Sequence, residues 1–204
     1  MSSRAHGRVP QSLIEQIVRG RIYESRFYKE HCFALSAEGL IEKAVQLIAV
    51  GGVFSERVTP APFLCLIMKM LQILPEDDIV LALIRNEEFK YARALGAFYW
   101  RLTAKPTAVF KELEPLFSDY CTIRVQTRTG WATTTMDAFV EELLTESYSC
   151  DVALPVIGSR AALERSNILP KRVSPLRAEF EAALAAADAD SDSYSSSSAS
   201  DSDD

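Results

Sequence analysis

Residues 87–103 read EEFKYARALGAFYWRLT, a segment that is apolar on nearly every side of a helix. Its large apolar side chains are Phe89, Leu95, Phe98, Trp100 and Leu102. A helix that is apolar all round is usually covered by neighbours on several sides. The segment therefore predicts the central helix of a mainly helical core. Gly96 within it would let a neighbouring helix approach closely.

The segments before this one also have helical spacing of apolar residues. Pro10 opens a long helical segment in which Gly20 is a candidate break. Ser36 predicts the N-cap of a second helix that carries apolar residues as far as Ile48. The pair Gly51-Gly52 is expected to end that helix, because glycine readily adopts the left-handed conformation found there. A plain turn is favoured over an anion cradle, since a helix C-terminus carries a negative partial charge.

Prolines mark the boundaries of the helices that follow. Thr59-Pro60 predicts an N-cap followed by proline in the first turn. Pro75 ends that helix, and residues 77–85 predict a short amphipathic helix. Pro106 begins another helix, which Pro115 disturbs near its end.

The period then changes from helical to two. Residues 121–126 alternate apolar and polar side chains, residues 127–130 contain a turn, and residues 131–135 favour strand. This pattern predicts a small β-hairpin near 121–135. A last core helix is expected over 136–146, and a short helix over 159–167.

These elements predict a mainly α fold: a compact multi-helix domain with one small β-hairpin. The domain is expected over residues 1–175, followed by an amphipathic helix over 176–187. Residues 188–204 contain only Ser, Asp, Ala and one Tyr. That tail is predicted to be disordered, because it holds too little apolar surface to offset the entropy of ordering.

The charge is distributed unevenly along the chain. The formal net charge is −6, and the tail holds six Asp and no basic residue. The remaining 22 acidic residues balance the 22 basic ones. A neutral domain lacks the basic excess that gives sequence-independent affinity for nucleic acid.

The cysteine pattern and the lack of targeting segments favour an intracellular protein. Cys32, Cys65, Cys121 and Cys150 form no C-x-x-C pair, so free thiols in a reducing compartment are expected. Residues 1–10 contain no apolar run and do not resemble a secretory signal. No apolar stretch is long enough to span a membrane.

No residue pattern predicts catalysis, a cofactor or a metal. The sequence contains no phosphate-binding loop, dinucleotide fingerprint, nucleophile elbow or H-E-x-x-H motif. Its two histidines, His6 and His31, are too few for a zinc cage. We therefore expect a protein that works by binding other macromolecules and not an enzyme.

Arginine and tyrosine residues within apolar segments are the candidate binding residues. Six of them are singled out: Arg21, Tyr23, Lys29, Arg93, Tyr99 and Arg101. One interpretation is an exposed patch, because Arg and Tyr are enriched at binding hot spots. The other is an internal ion-pair network that fixes helix packing, with Glu24, Asp119 or Asp137 as partners.

The tail carries a separate hypothesis. Ser198 and Ser200 each have an aspartate three residues later, a spacing typical of sites for acid-directed kinases. Phosphorylation there would add negative charge to an acidic arm. A tail that only keeps the protein soluble is the alternative.

Ordered sequence blocks, which together span about residues 9–175, resemble the pre-mRNA-processing factor 38 family. The match rests on many short blocks in the same order and not on one motif. The blocks are 21–25 (RIYES), 50–53 (VGGV), 60–66 (PAPFLCL), 69–72 (KMLQ), 86–91 (NEEFKY), 95–97 (LGA), 101–103 (RLT), 113–116 (LEPL), 119–120 (DY), 137–139 (DAF), 142–144 (ELL), 150–151 (CD) and 154–155 (LP).

The resemblance implies a nuclear, non-enzymatic spliceosomal protein. Members of the family associate with the tri-snRNP and are needed for spliceosome activation, and their helical domain is a multi-partner interaction scaffold. The expected partners are a matrin-type zinc-finger splicing protein and a microfibrillar-associated-protein-like splicing factor. Many relatives carry a long Arg/Ser-rich tail, whereas this tail is short and rich in Asp and Ser. Direct RNA binding is the alternative function, with RNA contact otherwise secondary.

Overall fold

The computed structural model describes residues 7–55, 58–174, 177 and 180–184. It divides into two units, Met1–Ile168 and Leu169–Asp204. In the second unit, the described residues 177 and 180–184 are helical, within the helix predicted over 176–187. The tail 188–204, with Ser198 and Ser200, lies outside the described residues.

The first unit is mainly helical, as the spacing of its apolar residues predicted. A 3₁₀ turn, Pro10–Leu13, a π-helical turn, Tyr28–Cys32, and a 3₁₀ turn, Glu114–Ser118, accompany the α-helices. The α-helices are α1 Gln16–Glu24, α2 Ala37–Val45, α3 Pro62–Ile73, α4 Asp77–Ile84, α5 Lys90–Thr103, α6 Pro106–Leu113, α7 Met136–Thr145 and α8 Arg160–Arg165.

The strands are short and form three small sheets. They are β1 Val50–Gly51, β2 Val53–Phe54, β3 Thr59–Pro60, β4 Thr122–Thr127, β5 Gly130–Thr135, β6 Tyr148–Ser149 and β7 Val152–Ala153. The largest sheet has the order β1-β4-β5, with β1 parallel to β4 and β4 antiparallel to β5. Strands β2 and β3 pair with each other, as do β6 and β7. The predicted hairpin is confirmed.

Helix α5 is the central helix of the core, as predicted. Eleven of its 14 residues are buried, and it contacts α2, α3, α4, α6 and α7. It begins at Lys90 and not at Glu87, because the Asn86 side chain holds the preceding residues in a turn. The Asn86 Oδ1 atom accepts hydrogen bonds from the backbone N–H groups of Glu88 and Phe89 (3.0 and 2.8 Å).

Gly96 lies where α4 crosses α5. A Cβ atom at this position would lie 3.0 Å from the Leu83 Cβ atom and 3.2 Å from the Ile84 backbone nitrogen. The predicted close approach of a neighbouring helix at Gly96 is therefore confirmed. Glycine at this position serves the close packing of α4 against α5, since a side chain here would force its neighbours to shift.

The predictions for residues 46–60 were wrong. Helix α2 ends at Val45, and Gly51 belongs to strand β1, which pairs with the distant strand β4. Thr59-Pro60 forms β3 and does not cap a helix; Pro62 instead occupies the first turn of α3. Strand pairing between residues far apart in sequence outweighs the local helix signals here.

The N-terminal segment also differs from its prediction. Gly20 does not break α1, which continues through it to Glu24. The break comes at Ser25, whose hydroxyl donates to the Ile22 carbonyl oxygen (2.7 Å). The Ser25 Oγ atom also accepts from the Tyr28 backbone N–H (3.3 Å), which begins the π-helical turn.

Three further expectations are confirmed. The Ser36 side chain caps α2 by accepting from the Gly39 backbone N–H (3.2 Å). Pro106 begins α6, and the chain continues as 3₁₀ helix around Pro115. All four cysteines are free thiols. No helix in the described part of the chain is long and apolar enough to cross a membrane.

Candidate protein-interaction surface

The six candidate binding residues separate into an exposed group and a buried group. Arg21, Tyr23 and Lys29, on α1 and the π-helical turn, are exposed. The other three lie on α5 and are buried, with exposed fractions of 9% for Arg93, 5% for Tyr99 and 2% for Arg101. The structure therefore does not bring the six together into one exposed patch.

Arg93 lies at the centre of a polar cluster at the start of α5. Its Nη1 forms an ion pair with the Asp119 carboxylate. Its Nε and Nη2 donate to the carbonyl oxygens of Asn86 (2.8 Å) and Glu87 (2.9 Å). The Asp119 carboxylate also accepts from the Cys121 backbone N–H (3.1 Å). This cluster has the form of the internal ion-pair network considered above, with Asp119 as the partner.

Arg101 is buried without a carboxylate partner in the described part of the chain. Its Nε donates to the Leu143 carbonyl oxygen (2.6 Å), in the last turn of α7. Cations are favourable at helix C-termini, where the last carbonyl groups have no partner within the helix. The Arg101 Nη1 has no hydrogen-bond partner, and burial lowers the pKa of Arg101 to about 10. Arg101 therefore joins α5 to the end of α7.

Tyr99 and Tyr23 occupy different environments. Tyr99 lines a cavity of about 480 Å³ beside Asp77 and Lys105, and burial raises the pKa of its phenol to about 12. The Tyr23 hydroxyl is at the surface and accepts from the Gln72 side-chain amide (3.3 Å). The Tyr23 ring packs edge-on against Tyr28 at 5.3 Å. Of these two tyrosines, Tyr23 has the more exposed side chain, at 39% against 5% for Tyr99.

The sequence did not predict a groove with a mainly apolar lining on the surface of the first unit. We call it the apolar groove; its volume is about 550 Å³. It lies between the π-helical turn, the end of α2 and the β4–β5 hairpin. Its lining residues are Phe27, His31, Lys43, Gln46, Leu47, Ile48, Ala49, Phe54, Pro62, Gln126 and Trp131.

Two large apolar side chains on the apolar groove are unusually exposed. Ile48 is 59% exposed and Trp131 is 57% exposed. Helix α2 ends at Val45, and in the non-helical segment that follows, Ile48 is exposed between the buried Leu47 and Ala49. Trp131 lies opposite Gln126 in the hairpin, and the Arg124 guanidinium lies over its ring at 5.7 Å from the centroid. Exposed apolar residues grouped around a concavity are typical of binding sites.

The polar residues that line the apolar groove are basic or neutral. Lys43 donates to the Gln46 side chain (3.1 Å), and His31 packs edge-on against Phe27 at 5.0 Å. None of the lining residues is acidic. The apolar groove therefore favours a partner segment with an apolar face and carboxylates beside it.

The signals for the apolar groove in the sequence were indirect. Trp131 was predicted to lie in a strand of a two-stranded hairpin. One face of such a hairpin can pack on the core, and a tryptophan on the other face stays exposed. Ile48 was placed on the buried side of a helix that ends before it. Among the residues that the structure describes, no group of His, Cys, Asp and Glu side chains could hold a metal ion.

Comparison with known proteins identifies relatives of this chain. The chain is 49% identical over 177 residues to pre-mRNA-splicing factor 38A of Xenopus laevis, covering 86% of this chain and 57% of the relative. It is 47% identical over 182 residues to pre-mRNA-splicing factor 38 of Arabidopsis thaliana, covering 89% of this chain and 51% of the relative. The chain thus spans a little over half the length of these curated relatives.

A solved structure has the same fold. It is the crystal structure of the Snu23-Prp38-MFAP1(217-258) complex of Chaetomium thermophilum. One chain of that complex superposes with a TM-score of 0.82 at 39% identity, covering 89% of this chain and 96% of that chain. The sequence model of the PRP38 family matches residues 3–167. The chain belongs to the PRP38 family.

Proposed function

We propose that this chain is a nuclear, non-enzymatic spliceosomal protein that binds other splicing proteins. In this role it would act as a scaffold with the tri-snRNP during spliceosome activation. The Xenopus laevis and Arabidopsis thaliana relatives are named pre-mRNA-splicing factors. The chain of similar fold in the Chaetomium thermophilum crystal structure belongs to a complex that contains Snu23 and a segment of MFAP1. The observation that carries the proposal is the apolar groove with its exposed Ile48 and Trp131.

The proposed occupant of the apolar groove is an amphipathic helix of a partner protein. A helix places apolar side chains three and four residues apart along one face, and a concave apolar surface can receive them. Ile48 and Trp131 stand on the groove wall and would be covered on binding. Carboxylates beside the apolar face of the partner helix would meet Lys43 and His31.

A binding experiment tests this site with a matched control. The Ile48→Asp variant places a charge on the apolar groove, whereas Val156→Asp places one on an almost fully exposed position outside it. Titration calorimetry with helical segments of Snu23-type and MFAP1-type proteins measures the affinity. We expect Ile48→Asp to weaken binding by about thirtyfold or more, since hot-spot losses are about 2 kcal/mol or larger. Val156→Asp should bind like the parent.

The six residues singled out in the sequence are tested in the same assay. The combined substitution of Arg21, Tyr23 and Lys29 by alanine removes exposed side chains and leaves the core intact. If this variant loses affinity while Ile48→Asp retains it, the partner binds at α1 and not at the apolar groove. Folded variants of Arg93, Tyr99 and Arg101 report whether the buried group affects binding at all.

A further inference from the structure

Strand β5 has an unpaired outer edge. It is the last strand in the sheet order β1-β4-β5, and no described strand pairs with its other side. Its residues 130–133 are exposed. Such an edge presents a row of backbone donors and acceptors to any extended chain that approaches it.

The hydrogen-bond pattern shows which backbone groups point outward. The Met136 N–H donates to the Cys121 carbonyl oxygen (3.0 Å), in the same register as the pairs of the hairpin. In an antiparallel ladder, hydrogen-bonded and non-hydrogen-bonded pairs alternate. Counting from this bond, the backbone N–H and C=O groups of Thr134 and Ala132 point toward β4. The N–H and C=O groups of Trp131 and Thr133 therefore face the open edge.

The edge lacks the usual protection against strand pairing. Natural edge strands carry lysine, proline or a bulge that prevents association with another chain. Strand β5 contains neither lysine nor proline, and its pairing with β4 runs without interruption from Thr135 to Gly130. Three consecutive threonines, Thr133–Thr135, favour an extended backbone further.

The face of the hairpin that carries Trp131 and Thr133 is basic. Arg124 lies directly opposite Thr133, on the same face of the sheet. The Lys90 ammonium donates to the Thr122 carbonyl oxygen (2.6 Å) at the start of β4. Residues 122–135 contain no Asp or Glu. An added strand would therefore meet positive charge along this face.

We propose that β5 binds an extended, acidic segment of a partner protein, which adds a fourth strand to the sheet. The added strand pairs with the outward N–H and C=O groups of Trp131 and Thr133. Neighbouring strands lie about 4.8 Å apart, so a glutamate opposite the short Thr133 side chain can reach the Arg124 guanidinium. This mode of recognition rests on the proposed function only in that the partner is a protein, and it uses a site next to the apolar groove.

A synthetic peptide of alternating Glu and Val serves as the probe, with an isomer that has the same residues in two blocks. Its binding to the full chain is measured by fluorescence anisotropy, and amide hydrogen exchange is read by NMR. The alternating peptide should bind more tightly than the block isomer. It should also slow the exchange of the Trp131 and Thr133 amides, because both become hydrogen-bonded to the added strand.

Two substitutions at one position separate the backbone from the side chain. Thr133→Pro removes an outward N–H without breaking a bond to β4, whereas Thr133→Val removes only the hydroxyl. The proline variant should lose about tenfold in affinity, and the valine variant should bind like the parent. Equal binding by Thr133→Pro and the parent overturns the proposal.

Charge reversal keeps the test decisive if Thr133→Pro does not fold. Arg124→Glu should weaken the binding of the Glu–Val peptide and strengthen the binding of a Lys–Val peptide. The proposal is overturned if the Glu–Val peptide does not bind to the parent. It is also overturned if β5 is blocked by a second copy of the chain in a dimer, or if an oligouridylate protects the Trp131 and Thr133 amides and the peptide does not. Ile48→Asp leaves β5 intact, so failure of the apolar groove is distinguishable from failure here.

Discussion

The Arg93 guanidinium is bound by acceptors from two segments outside its own helix. It joins the start of α5 to the loop before β4 through Asp119, and to the loop after α4 through the carbonyl oxygens of Asn86 and Glu87. Removing one member of a buried ion pair leaves the other charge without compensation. We expect Arg93→Met to lower the free energy of unfolding by about 3 kcal/mol, measured by urea denaturation.

A surface ion pair supplies the control for Arg93. Arg85 pairs with Glu112 at 2.7 Å, but the Arg85 side chain is largely exposed. Arg85→Met should therefore change the free energy of unfolding by less than about 1 kcal/mol. The double variant Arg93→Met/Asp119→Asn should recover part of the loss, because the unpaired carboxylate is gone. Equal effects of Arg93→Met and Arg85→Met would show that the buried pair has no structural role.

The buried thiols predict how stability changes at high pH. Burial raises the pKa of Cys65 from 9.0 to about 12 and that of Cys32 from 9.0 to about 11. Above pH 9 the unfolded chain ionises these thiols while the folded chain keeps them protonated. The folded state therefore loses stability as the pH rises through 9 toward 11, by linkage. The free energy of unfolding, measured by urea denaturation at each pH, should fall across this range.

Cys65→Ala isolates one thiol from this dependence. The variant lacks one group that ionises only in the unfolded chain. Between pH 9 and 10 its stability should therefore fall less steeply than that of the parent, by about 1 kcal/mol per pH unit. The slope is compared and not the absolute stability, because the substitution also removes buried apolar volume. Parallel slopes would contradict the assigned shift.

At the scale of elements, Gly52 and Gly20 are glycines with opposite surroundings: Gly52 is closely packed, whereas Gly20 lies in a helix with open space around it. A Cβ atom at Gly52 would overlap the backbone of Cys150 and the Asp151 carboxylate, in the turn between β6 and β7. That carboxylate accepts a hydrogen bond from the Val53 N–H (2.8 Å). Gly52→Ala must push these segments apart. It should lower the free energy of unfolding by about 2 kcal/mol or more.

Gly20 is the matched control for Gly52. It lies within α1, and an added Cβ atom would meet nothing within 4 Å. Alanine there should raise the free energy of unfolding by about 0.5–1 kcal/mol, because it restricts the unfolded chain and favours helix. Thermal melts of the two variants should shift in opposite directions. If both melting temperatures shift in the same direction, the packing described around one of the two glycines is wrong.

The predictions made at these two glycines were wrong, whereas other parts of the fold were predicted correctly from the sequence. Helix α5 and the β4–β5 hairpin were predictable, because their periodicity lies within one continuous segment. Residues 46–60 were not, because β1 pairs with β4, more than 70 positions later in the chain. A local pattern of Gly and Pro carries no information about such a distant partner strand. The same pattern is as typical of a helix end as it is of a short strand.

At the scale of the whole molecule, the site was harder to predict than the fold. The apolar groove combines residues from four separated segments, and its most exposed apolar members, Ile48 and Trp131, were predicted to lie inside a helix and a strand. Arg93 and Arg101 had the residue types of a binding site, but burial places them inside the structure. Residue type indicated that arginine was important here, and only the packing distinguishes an internal ion pair from a surface contact.

The net charge of the whole chain resides in its C-terminal tail. Residues 188–204 contain six Asp and account for the entire net charge of −6, so residues 1–187 are formally neutral. Proteins near zero net charge associate and precipitate more readily. A chain ending at residue 187 should therefore scatter more light near pH 7 at low salt than the full chain. Replacing the six Asp by Asn at full length should have the same effect, since charge and not length is responsible. If the Asn variant stays as soluble as the parent, the tail does not act through its charge.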